Sequence, residues 1–130
     1  AHAGLFSNAE DLGKYGQMLL NDGMVGDNKI IDKDLLSLFT KRQSTVDEAN
    51  RGYGWDRPDR DGTSSAGDYF SDKTFGHLGY TGTSFWIDPE QELIVVLLTN
   101  RVYPTRDSPG IKQVRRKFHN TLNKSILRLN

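Results

Sequence analysis

Apolar residues near the start of the chain recur at helical spacing. They follow Ser7 and Glu10, which form a capping-box pattern, and the run stops at Gly23. The apolar positions are Leu12, Tyr15, Leu19 and Leu20. The pattern predicts a helix over residues 8–22 that begins with Ser7 as its cap.

A second apolar pattern follows after a glycine-rich connection. Asp32 is a suitable N-cap residue, and Leu35, Leu36 and Phe39 follow it before the pattern ends near Lys41. These residues predict a shorter second helix.

The middle of the chain changes character. Gly52–Trp55 is typical of a short strand, whereas residues 56–73 are polar and rich in Asp, Gly and Ser. A loop of that length favours a role at the edge of a site or as a lid.

Sheet-like patterns begin at residue 74. Residues 74–78, 83–88 and 92–100 predict three strands of an antiparallel meander, with a turn at residues 88–91 between the last two. Leu93–Leu98 is apolar on both faces, so we expect helices above and below the sheet.

The end of the chain predicts a long helix packed across the sheet. Ser108 would be its cap and Pro109 its first residue. One apolar stripe runs along it: Ile111, Val114, Phe118, Leu122, Ile126 and Leu129. The predicted fold class is therefore α+β, a three-stranded antiparallel sheet packed by two N-terminal helices and a C-terminal helix.

Composition narrows the possible functions. The 130 residues suit one small domain, and 17 basic and 17 acidic side chains cancel, which argues against nucleic acid or an anionic membrane as a partner. The chain has no cysteine, which excludes disulfides and thiolate catalysis. It begins without Met and runs directly into a helix pattern, so we expect a piece of a longer protein.

The segment Phe75–Pro89 carries the clearest candidate chemistry. Three of its glycines, Gly76, Gly79 and Gly82, lie around His77 at the edge of a predicted strand. Such glycines let backbone N–H groups approach an oxyanion, and an imidazole can bind a carboxylate or transfer a proton. From the pattern alone, an ordinary hairpin with a structurally satisfied histidine remains the alternative.

Three stretches, in order, resemble one family of enzymes. His77-Leu78-Gly79 followed by Tyr-Thr-Gly-Thr-Ser-Phe-Trp-Ile-Asp-Pro resembles the third motif of the serine beta-lactamase and penicillin-binding-protein-like superfamily. Ala3–Leu12 resembles a helix start in its class C and esterase-like branch, and Gly52–Trp55 resembles its Tyr-Gly-x-Gly-Trp-type strand. The resemblance implies the C-terminal part of a beta-lactamase-like fold.

The resemblance also implies roles for four consecutive residues. His77, Leu78 and Gly79 would replace a Lys-Thr-Gly triplet on the strand that walls the active site, where they would bind substrate. His77 would be a carboxylate-binding or proton-network residue. The backbone N–H of Tyr80 would be one oxyanion-hole donor, and the N–H of the nucleophile would be the other.

The chain departs from the family in lacking a nucleophile. It contains no Ser-x-x-Lys and no Gly-x-Ser-x-Gly. Tyr69-Phe70-Ser71 fits the family's Tyr-x-Ser, but it follows the N-terminal helix pattern instead of preceding it, and we interpret it as coincidence. We therefore expect residues 1–130 to be a single partial domain that is inactive alone.

Other residues admit plainer interpretations. The scattered His2, His77 and His119 have no metal-ligand spacing, and neither metal nor cofactor is implied. Trp55 and Trp86 favour the core over a substrate cleft. The last helix carries a basic turn, which favours a solvated face over a nucleic-acid site. Its members are Lys112, Arg115, Arg116 and Lys117.

Two hypotheses for function follow. The first is a serine hydrolase that forms an acyl-enzyme with a beta-lactam, a cell-wall peptide or an ester. The second is a non-catalytic binding or structural domain of the same fold, appended to another cell-wall enzyme. The expected partners are that substrate and the missing N-terminal portion of the protein, with a dimer possible through the exposed sheet edge. The resemblance implies an extracytoplasmic location.

Overall fold

The computed structural model describes residues 4–43, 50–59, 61–107 and 109–128. Within them it has three helices and two small antiparallel sheets. The elements are α1 (Ala9–Leu20), β1 (Met24–Val25), β2 (Asn28–Lys29), α2 (Lys33–Thr40), β3 (Phe75–Leu78), β4 (Ser84–Asp88), β5 (Leu93–Leu97) and α3 (Ile111–Leu127). This arrangement confirms the α+β class.

Helix α1 is capped by Asn8, and the prediction of Ser7 as the cap is wrong. The Asn8 side chain accepts a hydrogen bond of 2.9 Å from the Asp11 N–H, which satisfies one of the free amides at the helix start. Asn8 also donates to the Asp11 carboxylate at 2.9 Å. An asparagine one residue later therefore does what the capping-box pattern assigned to Ser7.

The connection after α1 contains a small hairpin that the sequence did not predict. Strands β1 and β2 pair antiparallel, with Met24 opposite Lys29. Gly23 adopts a left-handed conformation with φ of 85° and donates its N–H to the Met18 carbonyl at 2.9 Å. Helix α2 then begins at the predicted cap, since Asp32 accepts from the Asp34 N–H at 3.0 Å.

Gly52–Trp55 forms a turn and not the predicted strand. The Gly52 N–H donates to the Trp55 carbonyl at 2.9 Å, and Gly54 has a left-handed φ of 74° that reverses the chain. The flanking Arg51 and Asp56 form an isolated bridge with each other. Asp56 also pairs with Gly76, so this turn is joined to the outer edge of β3.

The larger sheet has the order β3-β4-β5, with both pairs antiparallel. Its strands lie within the predicted ranges, although the third ends at Leu97 and not at residue 100. Among the described residues β5 has β4 as its one strand neighbour. The expected dimer through this edge stays a prediction.

Two separate cores cover the two faces of this sheet, as the apolar third strand predicted. The α1 face buries Met18, Leu19, Phe75 and Ile87. The opposite face buries Ala66, Phe70, Trp86 and Val95, with Phe118 and Leu122 of α3 packed against them. Helix α1 lies close to β5 because Gly16 has no side chain, and a Cβ there would come within 2.9 Å of Ile94 Cγ2.

The most deeply buried side chains of α3 are polar, which corrects the predicted stripe in part, since Phe118 and Leu122 do pack against the core. Arg115, His119 and Asn123 are buried, whereas Val114 and Ile126 are each 55% exposed. The helix begins at Ile111 after Gly110, so Pro109 is not its first residue. The predicted cap Ser108 and the last stripe residue Leu129 lie outside the described residues.

Candidate functional site

Strand β3 leads directly into a tight turn, which we name the Gly79–Thr83 turn after its first and last residues. The Gly79 N–H donates to the Thr83 carbonyl at 2.8 Å, and the Gly82 N–H donates to the Gly79 carbonyl at 3.0 Å. Gly82 has a left-handed φ of 98°, a conformation that favours glycine. The predicted site residues His77 to Tyr80 therefore lie where the strand ends and the chain reverses.

Tyr80 lies in the middle of this turn. Its side chain is 65% exposed, and the Arg101 guanidinium stacks over its ring at 4.8 Å from the centroid. Among the residues that the structure describes, the Tyr80 N–H has no hydrogen-bond acceptor. An N–H without an internal partner beside an exposed strand end can donate to an anionic ligand.

His77 is exposed on β3, opposite Phe85 of β4. Its Nδ1 lies 2.9 Å from the Leu78 carbonyl oxygen, and its Nε2 lies 3.5 Å from Arg51 Nη2. The carbonyl can only accept and the guanidinium can only donate, so these partners assign the proton of the neutral ring to Nδ1. The imidazole is thus oriented by a contact at each nitrogen.

Arg51 is the site residue that the sequence analysis missed. Its Nη1 lies 2.8 Å from Asp56 Oδ1, and Asp56 is joined by two backbone hydrogen bonds to Gly76, next to His77. The turn in residues 51–56 therefore brings a guanidinium to the imidazole. The signal for it was weak, because an arginine beside a mispredicted strand has no recognisable spacing from His77.

Leu78 connects the site to the core and to a neighbouring cleft. Its side chain is half-buried and packs against the core on the α3 face. The cleft has a volume of about 470 Å³, and Leu78 lies in its wall. Polar and charged groups dominate the remaining lining, which includes Asn50, Arg51, Asp56, Asp59, Ser64 and Lys112.

Two arginine side chains donate hydrogen bonds to carbonyl groups of the Gly79–Thr83 turn. Arg115 donates from Nε to the Gly82 carbonyl at 2.9 Å, and from Nη2 to the Gly79 and Thr83 carbonyls at 2.7 and 2.8 Å. Arg101 donates from Nε to the Tyr80 carbonyl at 2.8 Å. Burial, and secondly the charge of Arg101, lower the pKa of the Arg115 guanidinium.

The prediction of a solvated basic face on α3 is therefore wrong for Arg115, which is 6% exposed. Arg116 is half-buried and forms an ion pair of 2.6 Å with Asp68. Lys112 and Lys117 are exposed, as predicted. Helical periodicity turns Arg115 inward, where its N–H groups donate hydrogen bonds to carbonyl oxygens.

Both tryptophans belong to the core. Trp86 is 2% exposed and packs on the α3 face, although it also lies in the wall of the polar cleft. Trp55 packs edge-on against Phe75 with their ring centroids 5.0 Å apart. Both residues therefore pack against the core as expected, and each also lies in the wall of a cleft.

His119 is fully buried on α3 and does not line the candidate cleft. Its Nε2 lies 3.0 Å from Ser84 Oγ, and burial, with the charge of Arg115 second, lowers its pKa to about 4. His2 lies outside the described residues. Within the described ranges there is no cluster of three metal-ligating side chains, and no helix is long and apolar enough to cross a membrane.

Comparison with known proteins places this geometry in a family. Residues 1–119 match the family model described as "Beta-lactamase". The chain is 35% identical over 111 residues to a protein of Salmonella typhi named "Putative D-alanyl-D-alanine carboxypeptidase", and its counterpart in Salmonella newport matches to the same extent. These matches cover 85% of this chain and 25% of each relative, so the chain spans about a quarter of their length.

A solved structure is also similar. It is named "Crystal structure of putative beta-lactamase from Bacteroides dorei DSM 17855", and it matches with a TM-score of 0.47 and 13% identity over 82% of this chain and 38% of that chain. The family assignment depends on the sequence match, which extends through β3, the Gly79–Thr83 turn and the first half of α3. The chain belongs to the beta-lactamase family of serine hydrolases.

Proposed function

We propose that this chain forms the His77-Leu78-Gly79 wall and one oxyanion-hole donor of a serine hydrolase that works through an acyl-enzyme. Its substrate is a cell-wall peptide that ends in D-alanyl-D-alanine. The observation that carries the proposal is the Tyr80 N–H, which has no acceptor in the described part of the chain and lies directly after the His77-Leu78-Gly79 strand. Such a donor stabilises the oxyanion of acyl transfer.

The charges around His77 support a substrate with a terminal carboxylate. The Arg51 guanidinium lies 3.5 Å from the imidazole, and its side chain is 54% exposed. The guanidinium also pairs with Asp56 at 2.8 Å, and its N–H groups that neither Asp56 nor His77 engages can donate to a substrate carboxylate. A peptide that ends in D-alanyl-D-alanine presents that group next to its scissile bond, and the Salmonella relatives carry this substrate in their name.

The nucleophile of this hydrolase lies on another segment. No Ser-x-x-Lys occurs in the 130 residues. The chain therefore forms part of a domain that is completed by a longer protein, and it is inactive alone. A substrate from the cell wall places that protein outside the cytoplasm.

The test uses two proteins, the 130-residue chain and the product of the complete reading frame that contains it. We expect the longer protein to release D-alanine from diacetyl-L-lysyl-D-alanyl-D-alanine and to be labelled covalently by a fluorescent penicillin. The isolated chain should do neither. Mass spectrometry of the labelled protein should find the adduct on a serine of a Ser-x-x-Lys motif.

Variants connect that activity to the site. Arg51→Gln should lower kcat/KM for the peptide by about tenfold or more, since a charge-assisted contact contributes about 1.5–3 kcal/mol. His77→Gln removes the ring nitrogen that orients the Arg51 guanidinium and should lower kcat/KM by a smaller factor. Lys73→Gln, an exposed residue before β3, is the matched control and should leave kcat/KM unchanged.

Other outcomes redirect the proposal. Hydrolysis of a simple ester or a beta-lactam without D-alanine release would support the proposed serine hydrolase activity and contradict the proposed peptide substrate. A full-length protein with no turnover and no covalent label would favour the non-catalytic binding or structural domain. D-Alanine release by the 130-residue chain would contradict its inactivity.

A further inference from the structure

Every carbonyl of the Gly79–Thr83 turn accepts a hydrogen bond from within the protein. Arg115 bonds the carbonyls of Gly79, Gly82 and Thr83, and Arg101 bonds that of Tyr80 through its side chain. The Thr81 carbonyl accepts from the Arg101 N–H at 2.8 Å and from Thr99 Oγ1 at 3.0 Å. The carbonyl side of the turn is therefore fully engaged.

The N–H groups at the centre of the turn are in the opposite situation. Neither Tyr80 nor Thr81 has an acceptor for its N–H among the described residues. The engaged carbonyls and the unpaired N–H groups belong to the same peptide units. The Gly79 carbonyl shares a peptide plane with the Tyr80 N–H, and the Tyr80 carbonyl shares one with the Thr81 N–H.

A cation bonded to the carbonyl oxygen of a peptide group changes the donor strength of the N–H in the same peptide group. A guanidinium bonded to the carbonyl oxygen draws electron density through the amide, which makes the N–H of that amide a stronger donor. Arg115 acts in this way on the Gly79–Tyr80 peptide, at 2.7 Å. Arg101 does the same for the Tyr80–Thr81 peptide, at 2.8 Å.

Arg115 is buried without a carboxylate partner among the described residues. Burying a charge costs free energy unless other groups compensate for the lost water. Here the compensation comes from three carbonyl dipoles of one short turn. The Gly79 and Thr83 carbonyls also accept from the Gly82 and Gly79 N–H groups, so among the described residues the Gly82 carbonyl alone depends on Arg115 for its hydrogen bond.

We propose that Arg115 and Arg101 are positioning residues for the oxyanion hole, which fix and polarise two successive peptides of the Gly79–Thr83 turn. Arg115 acts on the peptide that contains the Tyr80 N–H, and Arg101 acts on the next one. This inference depends on the proposed function for its catalytic consequence. The structural part can be tested without turnover.

The first experiment measures the backbone amide resonances of Tyr80 and Thr81 by NMR in the complete protein, isotopically labelled at tyrosine and threonine. In Arg115→Lys the Tyr80 amide proton should move upfield, because its peptide loses the planar donor at the Gly79 carbonyl. In Arg101→Gln the Thr81 amide should move more than that of Tyr80. Arg101→Gln also covers the case in which the Arg115 variant does not fold, since Arg101 is half-buried.

The second experiment measures steady-state kinetics in the complete protein. Arg115→Lys should lower kcat by about tenfold to a hundredfold, less than the 10²–10³ typical of losing an oxyanion donor outright. KM should change by less than about threefold, because the oxyanion forms only in the transition state. Arg101→Gln should have a smaller effect in the same direction.

Two controls separate positioning from general stability. Arg116→Gln removes the neighbouring ion pair with Asp68 and should leave kcat and the Tyr80 resonance unchanged. Asn123→Ala destabilises the same buried side of α3 without touching the turn and should also leave both unchanged.

The outcomes of the two experiments are distinct. Unmoved Tyr80 and Thr81 resonances in folded Arg115 and Arg101 variants would overturn the inference whether or not the protein is an enzyme. A complete protein that never turns over would refute the proposed function, while the resonances would still decide whether the arginines polarise the turn. If Arg115→Lys lowered kcat no more than Asn123→Ala does, Arg115 would be a structural residue only.

Discussion

The two faces of the β3-β4-β5 sheet are covered by different kinds of side chain. The face under α1 is apolar, with Met18, Leu19, Phe75 and Ile87 at its centre. The face under α3 combines Trp86 and Val95 with a set of buried polar side chains. That polar set includes Ser84, Asp88, Arg115, His119 and Asn123.

The difference follows from what each face must hold. Helix α1 needs only to cover the sheet, and apolar area does so without regard to direction. The α3 face must also fix loops, because Arg115 bonds the Gly79–Thr83 turn and Asp88 accepts from Ser71 at the N–H and the hydroxyl, at 2.7 and 2.6 Å. Hydrogen bonds are directional, so they fix the position of a loop more closely than apolar contacts do.

The largest effect should come from a cavity in the apolar face. Ile87 is fully buried against the α1 core, and Ile87→Ala should lower the free energy of unfolding by about 2–5 kcal/mol. The loss should be the same at pH 5 and pH 8, since the surrounding groups do not titrate. Urea denaturation of the 130-residue chain measures it.

Val25→Ala is the matched control for that cavity. Val25 is 53% exposed on the small hairpin, so its truncation should change the free energy of unfolding by less than about 0.5 kcal/mol. An equal decrease in the free energy of unfolding for Ile87→Ala and Val25→Ala would mean that the face under α1 is not a packed core.

The polar face should instead respond to pH through His119. Burial lowers its pKa in the folded protein to about 4, against 6.5 ordinarily. The unfolded chain therefore binds a proton between these values that the folded chain does not, and stability falls as pH drops below 6.5 toward 4. At about 1.4 kcal/mol for each pKa unit, the loss approaches about 2–3 kcal/mol.

A comparison of variants isolates that contribution. His119→Gln cannot titrate, so its free energy of unfolding should fall by about 2–3 kcal/mol less than that of the wild type between pH 7 and pH 4. Asn123→Ala, buried on the same side of α3, should keep the wild-type pH dependence. Parallel curves for wild type and His119→Gln would mean that the folded and unfolded states bind protons equally at His119.

The sequence predicted the apolar face and its elements well. In β4, Phe85 and Ile87 pack on the α1 side of the sheet and Trp86 on the α3 side, as the two-residue period of a strand predicts. The cap at Asp32 and the range of α1 were also predictable, because both depend on local chemistry. The predicted cap was wrong by one residue because the side chains of both Ser7 and Asn8 are able to cap a helix.

The polar face could not be predicted in the same way. Periodicity assigns apolar residues to the buried side of α3, but that side also holds Asn123, whose amide donates to the His119 carbonyl one turn earlier in the helix. It holds Arg115 and His119 as well, because carbonyl and hydroxyl partners lie opposite them. Those partners are far away in sequence. The contact between Arg51 and His77 could not be predicted for the same reason. It forms because the turn after Arg51 pairs Asp56 with Gly76.

The smallest effect tests the orientation of α3 directly. Ile126 and Val114 belong to the apolar stripe that the sequence predicts, yet both are 55% exposed. Ile126→Ala should therefore change the free energy of unfolding by less than about 0.5 kcal/mol, whereas Leu122→Ala, packed against the core, should cost about 2 kcal/mol or more. If Ile126→Ala instead cost as much as Leu122→Ala, the helix would be rotated toward its apolar stripe. Arg115 would then turn away from the Gly79–Thr83 turn, and the contrast between the two faces would disappear.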